Sequence, residues 1–183
     1  KKYPEENNKL IFTNISRIVR EKGIEEYLEI AKIIKSKYIF VDFNLIGSFS
    51  GDINLLNKVK KSNQEKIINY IEHTHDIRQI IEQSHCLVLL SHREGMPRSL
   101  LEGSAISRPI ITTDCIGSNE IIIDNYNGFK CETKSINSIV EAIEKFINLN
   151  YTERKTLGIN ARKNVEKNFD INVVINKFLE VIN

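Results

Sequence analysis

Cys86-Leu87-Val88-Leu89-Leu90-Ser91-His92-Arg93-Glu94-Gly95-Met96-Pro97-Arg98-Ser99-Leu100-Leu101-Glu102 decides the reading of this chain. The apolar run Cys86 to Leu90 passes into small polar residues, a Gly and a Pro. That is the pattern of a buried strand ending in a loop. The segment from Ser99 to Ser107 can open a helix, with Ser99 as a candidate N-cap. Folds built of such α/β units place their ligands at the carboxyl ends of the strands. Glu94 and Glu102 bracket a loop whose backbone N–H groups lead into a helix N-terminus. Such an end suits an anion such as a diphosphate. Ionised carboxylates only accept hydrogen bonds, so the two glutamates suit the hydroxyls of a sugar or ribose.

The same alternation extends in both directions. Leu10 to Ile15 reads as the first strand, and Ser16 to Gly23 as a polar loop. Ile24, Tyr27, Leu28, Ala31 and Ile34 fall on one face of a helix. Tyr38 to Ile46 is rich in aromatic and β-branched residues and reads as a second strand. A short charged helix is expected over Ile53 to Lys61, and a third strand over Ile67 to Ile71. Asp76 is a candidate cap for a helix from Ile77 to Gln83. Beyond the quoted stretch, Ile110 to Thr113 reads as a strand, with shorter extended pieces at Ile121 to Ile123 and Gly128 to Cys131. Ser135 caps a helix with Ile136, Ile139, Ala142, Ile143, Phe146 and Ile147 on one side. Residues 152–168 and 172–182 form a helical tail. Strands alternating with helices give an α/β class with a doubly wound, Rossmann-like parallel sheet.

Length and composition bound the function. With 183 residues the chain makes one domain with a real core. A net charge of +2 is too small to argue for nucleic acid or an anionic membrane as partner. No run is apolar enough for a transmembrane helix, and no apolar segment follows Lys1-Lys2, so neither a span nor a signal peptide is expected. Residues 1–9, with Tyr3-Pro4, read as a solvated linker, and residues 10–183 as the domain. Cys86, Cys115 and Cys131 have no C-x-x-C spacing and read as reduced core thiols of a cytoplasmic protein. His73, His75, His85 and His92 lack ligand spacing, so no metal site is expected.

The quoted stretch resembles family 4 of the retaining glycosyltransferases. Its signature is two glutamates separated by seven residues, written E-G-(F/M)-P-x-(S/T/P)-x-x-E. Glu94-Gly95-Met96-Pro97-Arg98-Ser99-Leu100-Leu101-Glu102 fits at every constrained position. The resemblance continues through Ser104-Ala105, Arg108 to Asp114, Gly117, Glu120 and Asn127-Gly128-Phe129. It covers nearly everything from Leu10 onward. It implies the C-terminal, donor-binding half of a two-domain GT-B enzyme, with the N-terminal acceptor half outside this chain.

The resemblance also implies roles. Arg17-Ile18-Val19-Arg20-Glu21-Lys22-Gly23 resembles the family's R-x4-K-G, in which the Arg and Lys clamp the donor diphosphate. The chemistry supports this, because a leaving nucleoside diphosphate gains negative charge that fixed cations stabilise most in the transition state. Arg20 is not fixed by the pattern and reads as surface. Glu94 is implied to accept from a hydroxyl of the donor sugar, either as a binding group alone or as a catalytic one. Glu102 is implied to hold the ribose. Read without the family, it is a carboxylate balancing a helix N-terminus. Gly95, Met96, Pro97, Arg98 and Ser99 supply the loop, with Gly95 allowing an unusual backbone angle or close ligand approach. Ile68 to Ile77 resembles the base-binding segment, but Glu72 stands where the family has Gly. The backbone at Ile71 and Glu72 is the candidate reader of the base.

The implied activity is transfer of a hexose or N-acetylhexosamine from a nucleoside-diphosphate sugar, UDP-linked by family usage, to a glycan or lipid-linked acceptor. No metal or other cofactor is implied. The full-length protein is expected to be cytoplasmic, with peripheral contact at the inner face of the membrane made by the other half. The carboxylate pair is not read as a hydrolase acid/base pair, since a hydrolase has no use for Arg17 and Lys22. Two alternatives stand beside this reading. One is a GT-B-like nucleotide-sugar epimerase. The other is a receiver-like interaction module built on Asp42 and Asp114.

Overall fold

A computed structural model of the chain describes residues 2–5, 9–74 and 76–182, without the side chains at 174, 176–178, 181 and 182. Its strands are β1 (Leu10–Ile15), β2 (Val41–Ile46), β3 (Asn69–Ile71), β4 (Cys86–Leu89), β5 (Ile110–Thr113) and β6 (Gly128–Cys131). Its α-helices are α1 (Ile24–Lys37), α2 (Ile53–Gln64), α3 (Ile77–Gln83), α4 (Arg98–Ala105), α5 (Ser118–Ile121), α6 (Ile136–Asn148), α7 (Tyr151–Asn168) and α8 (Ile171–Ile182). A 3-10 turn, Arg20–Lys22, precedes α1.

The strands form one parallel sheet in the order β3-β2-β1-β4-β5-β6. The chain moves outward from β1 to β3, then returns through α3 to place β4 beside β1. The order therefore reverses between β1 and β4, and folds of this kind place their ligands at such a switch point. This is the expected Rossmann-like, doubly wound architecture with a helical tail.

Apolar side chains explain the two layers. Phe12, Phe43 and Val88 point to one face, where Ile24, Tyr27, Leu28, Ala31 and Ile34 of α1 and Ile139, Ile143 and Phe146 of α6 cover them. Phe12 and Phe43 stack at 5.3 Å between ring centroids, and the Phe146 ring meets Phe12 edge-on. Leu87, Leu89 and Ile110 point to the other face, against Ile81 of α3, Leu100 of α4 and Ile121 of α5. Each such Val, Leu, Ile or Phe side chain contributes about 1.5–3 kcal/mol when removed from water. Asp52, Asp76 and Ser135 cap α2, α3 and α6 by accepting backbone N–H bonds.

Four elements differ from the sequence reading. β2 begins at Val41 rather than Tyr38, because β1 begins at Leu10 and the register pairs Leu10 with Val41. Residues before Val41 have no partner strand, and Tyr38 instead ends α1 by donating to the Ile34 carbonyl. β3 begins at Asn69 rather than Ile67, because the N–H groups of Ile67 and Ile68 are taken by the Ser62 carbonyl at the end of α2. Ile121 to Ile123 is not a strand. Ile121 ends α5, and the Asn127 side chain holds the turn by accepting from Ile123 N–H and donating to the Ile121 carbonyl. Ser99 does not cap α4, whose N-cap is Pro97 with no side-chain bond.

Tyr3 is not solvated. It is 2% exposed, its hydroxyl donates to the His85 carbonyl at 2.9 Å, and its ring meets those of His85 and Tyr151 edge-on. Arg108 is fully buried beside it and donates to the carbonyls of Lys2, Ile81, Glu82, Ile106 and Ser107. The three cysteines are buried and unpaired. Burial pushes the Cys86 thiol up, and the Cys131 thiol up to about 12.

His85 is 3% exposed. Its Nδ1 accepts the Ile11 N–H at 3.1 Å, and its Nε2 has no hydrogen-bond partner among the described residues. Burial, then the nearby Arg154 and Arg108 charges, depress its pKa from 6.5 to about 4. The folded state therefore holds His85 neutral. Its contribution is complete above pH 6.5 and is lost as pH falls toward 4, with about 3 kcal/mol at stake. Urea unfolding at a series of pH values should show wild-type stability falling across that window. His85→Asn keeps an acceptor for Ile11 and should flatten the fall; identical pH profiles would show that His85 does not titrate abnormally.

Candidate functional site

At the switch point the loops after β1 and β4 are pressed together. After β1, the chain passes through residues 16–19 into the 3-10 turn, and Gly23 then starts α1 in the left-handed region with φ +66°. A Cβ at Gly23 would lie 2.1 Å from the Leu90 carbonyl oxygen. Only a glycine lets the turn sit this close to the end of β4. The His92 N–H donates to the Glu21 carbonyl at 2.8 Å, and the His92 ring reaches Glu26 Oε1 at 2.8 Å. His92 thus joins the loop after β4 to both the turn and α1.

This clamping brings Lys22 and Glu94 together. Lys22 Nζ donates to Glu94 Oε1 at 2.5 Å. The buried Ser91 donates its hydroxyl to the same oxygen at 2.6 Å. The Ser91 carbonyl in turn accepts from Thr113 Oγ1 at 2.5 Å, which ties the loop to β5. The Lys22 and Glu94 side chains are 19% and 8% exposed.

The remaining expected residues lie on the neighbouring loops and on α4. Arg17 is exposed, makes no side-chain hydrogen bond among the described residues, and lines a groove of about 230 Å³ with Ile46, Gly47, Ser48, Glu72 and His73. Arg20 is spent elsewhere, on Asp52 at 2.6 Å and Glu25 at 2.5 Å, which raises its pKa and lowers that of Asp52. Gly95 and Met96 are exposed, Pro97 is buried, and Arg98 and Ser99 form the first turn of α4. The first N–H groups of any helix lack intrahelical acceptors, so this turn offers donors. Glu102 stands exposed on the next turn of α4. Glu72 lines the Arg17 groove, and Ile71 ends β3 just before it. The Ile71 carbonyl already accepts the Gly47 N–H at 3.0 Å, while the Glu72 side chain is exposed.

Of the two reasons offered for Gly95, the left-handed backbone angle is not used, which leaves close ligand approach. Its φ is not positive, and an added Cβ would meet nothing within 4 Å. The constrained glycine is Gly117, with φ +87° and a hypothetical Cβ 1.7 Å from the Gly95 carbonyl oxygen. The loop after β5 therefore supports the Glu94–Gly95 backbone from beneath. Ser91, Thr113 and Gly117 were not assigned from sequence, because small residues carry no charge pattern and their partners are remote in the chain.

The residues offered for an interaction module do not converge. Asp42 lies near the amino end of β2, paired with Lys9 at 2.6 Å, whereas Asp114 follows the carboxyl end of β5 and faces Lys130 at 3.6 Å. Among the described residues no group of three or more His, Cys, Asp or Glu could hold a metal ion. His75 lies outside the described residues.

Residues 1–164 match the family described as Glycosyl transferases group 1. The chain belongs to that family. It is 31% identical over 92% of its length to the capsular polysaccharide biosynthesis glycosyltransferase CapM of Staphylococcus aureus, covering 44% of CapM. The S. aureus TarM crystal structure, in complex with Fondaparinux, alpha-GlcNAc-glycerol and UDP, superposes with a TM-score of 0.85 at 25% identity, over 98% of this chain and 37% of TarM. The C-terminal domain of the group 1 family protein LpcC from Francisella tularensis gives 0.77 at 26% identity, over 92% of this chain and 96% of that domain. The chain spans under half the length of these full-length relatives. Its fold is that of one C-terminal, Rossmann-like half of a GT-B group 1 glycosyltransferase.

The two glycines separate support from mere space. Gly117→Ala should cost about 1–3 kcal/mol, because the strained φ and the collision have no relief. Gly95→Ala should stay within about 0.5 kcal/mol. Chemical denaturation of both variants checks this; equal losses would contradict the support assigned to Gly117.

Proposed function

We propose that this chain is the donor-binding half of a retaining glycosyltransferase that uses a nucleoside-diphosphate sugar, UDP-linked. The observation that carries the reading is the contact of Lys22 with Glu94 at the β1–β4 switch point, in a loop that runs on into the first turn of α4. A cation pair and a helix N-terminus are suited to a diphosphate. A largely buried carboxylate next to them is suited to the hydroxyls of the attached sugar. TarM, whose crystal holds UDP, and CapM, named for capsular polysaccharide biosynthesis, support a UDP-sugar donor and a glycan product.

In this reading Arg17 and Lys22 hold the diphosphate, and α4 donates from the amides at Arg98 and Ser99. Glu102 accepts from the ribose hydroxyls, and Glu94 from a hydroxyl of the sugar. Met96 and Pro97 wall the loop, and the backbone at Ile71 and Glu72 borders the base. As the bond from the anomeric carbon to the diphosphate oxygen breaks, its electron pair stays on the diphosphate. Arg17, Lys22 and the α4 amides stabilise that charge. The acceptor hydroxyl attacks the same face, and its proton passes to the leaving phosphate oxygen, so the anomeric configuration is retained. No metal is required in this scheme.

The acceptor, a glycan or lipid-linked saccharide, would be bound by an N-terminal half, with residues 1–9 leading in from it and residues 10–183 forming the donor unit. The chain alone should therefore bind donor without transferring sugar. The full-length enzyme would work on the cytoplasmic side, at the inner face of the membrane. No helix among the described residues is long and apolar enough to cross a membrane.

Calorimetric titration with UDP and uridine tests the donor site. Arg17→Ala should weaken UDP about tenfold or more, since a charge-assisted contact is worth about 1.5–3 kcal/mol, and leave uridine unchanged. Glu102→Gln should weaken both ligands, because both carry the ribose. Equal weakening of uridine and UDP by Arg17→Ala would remove Arg17 from the diphosphate.

A further inference from the structure

The Lys22–Glu94 pair lies where the diphosphate and the sugar of a bound donor would meet, so the two assigned roles are not independent. Lys22 Nζ stands 2.5 Å from Glu94 Oε1, and Ser91 Oγ donates to the same oxygen at 2.6 Å. Glu94 Oε2 accepts no hydrogen bond from the described residues. The pair is held from both sides. Gly23 presses the turn carrying Lys22 onto Leu90. The His92 N–H joins the Glu94 loop to the Glu21 carbonyl, and Ser91 is tied to Thr113.

An ammonium already paired with a carboxylate attracts phosphate less than a free one, and the carboxylate itself repels phosphate. The repulsion is strong at this site because both groups are largely screened from water. The donor and the product feel it differently. In a sugar-linked diphosphate the terminal phosphate is a diester with one negative charge. In the bare diphosphate the terminal phosphate carries about 1.5–2 charges at neutral pH. The donor also brings a hydroxyl that can donate to Glu94, and the bare diphosphate brings none.

We propose that Glu94, through its ion pair with Lys22, is the residue by which the site discriminates between the sugar-bearing donor and the nucleoside-diphosphate product. It selects against the product by competing for Lys22 and by repelling the extra phosphate charge. This rests on the donor-site reading above. Its consequence is that Glu94 weakens product binding and favours product release.

The test is calorimetric titration of UDP and uridine into the chain and its Glu94→Gln, Lys22→Ala and double variants, with thermal unfolding to show that each folds. Gln is isosteric with Glu and keeps an oxygen for the Ser91 hydroxyl. Glu94→Gln should bind UDP about fivefold to tenfold more tightly than wild type, the size of one charge-assisted contact or less, with uridine unchanged. In the Lys22→Ala background the gain should shrink, because there is no ammonium to release. Unchanged or weaker UDP binding by folded Glu94→Gln overturns the proposal. A gain of the same size without Lys22 also overturns it, since Lys22 would then play no part. Failure of the wild-type chain to bind UDP at all is a different result, and it removes the donor-site reading itself.

Discussion

The close approach of the β1–α1 turn to the end of β4 is the constraint on which the rest of the site depends. Gly23 lets the Leu90 carbonyl sit where any side chain would collide. The His92 N–H then reaches the Glu21 carbonyl, and the His92 ring reaches Glu26. With the two loops locked, Lys22 and Glu94 meet at hydrogen-bond distance although 71 residues intervene. The reversal of strand order makes these loops neighbours. The glycine makes them touch. A pocket of this kind is set by backbone packing, and the charged groups inherit their geometry from it.

The chemistry that follows is electrostatic. The proposed reaction uses no side chain of the protein as a nucleophile. What the proposed site offers is positive charge from Arg17 and Lys22, helix amides from α4, and acceptors from Glu94 and Glu102. Groups of this kind stabilise a leaving anion without reorganising, which is where a preorganised polar site gains most. The arrangement also explains why two carboxylates do not signal a hydrolase here. One of them is committed to a lysine and a serine at 2.5 and 2.6 Å. The other stands alone on a helix.

Much of this was legible in the chain. The apolar run Cys86 to Leu90 gave its strand, and the helical spacing of Ile24 to Ile34 gave α1, because burial against a sheet writes a period into the residues. Three-residue apolar runs did not read correctly. Ile121 to Ile123 is too short to tell a strand from a helix end, and a remote side chain, Asn127, settled the matter. Strand ends at Val41 and Asn69 depend on where a partner strand starts, which no local pattern records. In the site, the charged residues were visible and their supports were not. Of the two alternatives for Gly95, an unusual backbone angle or close ligand approach, the first belongs to Gly117, because the constraint comes from a loop that passes beneath Gly95. Tyr3 read as solvated because the pocket that buries it is assembled from His85, Arg108 and Tyr151.

The central claim is that the crevice between β1 and β4 binds a nucleoside diphosphate. A crystal structure of the chain soaked with UDP tests it most directly. The account predicts the diphosphate against Arg17, Lys22 and the first turn of α4, with the ribose at Glu102 and the base in the groove beside Glu72. Nucleotide bound elsewhere on the domain, or with its phosphates turned away from Lys22 and α4, would contradict it.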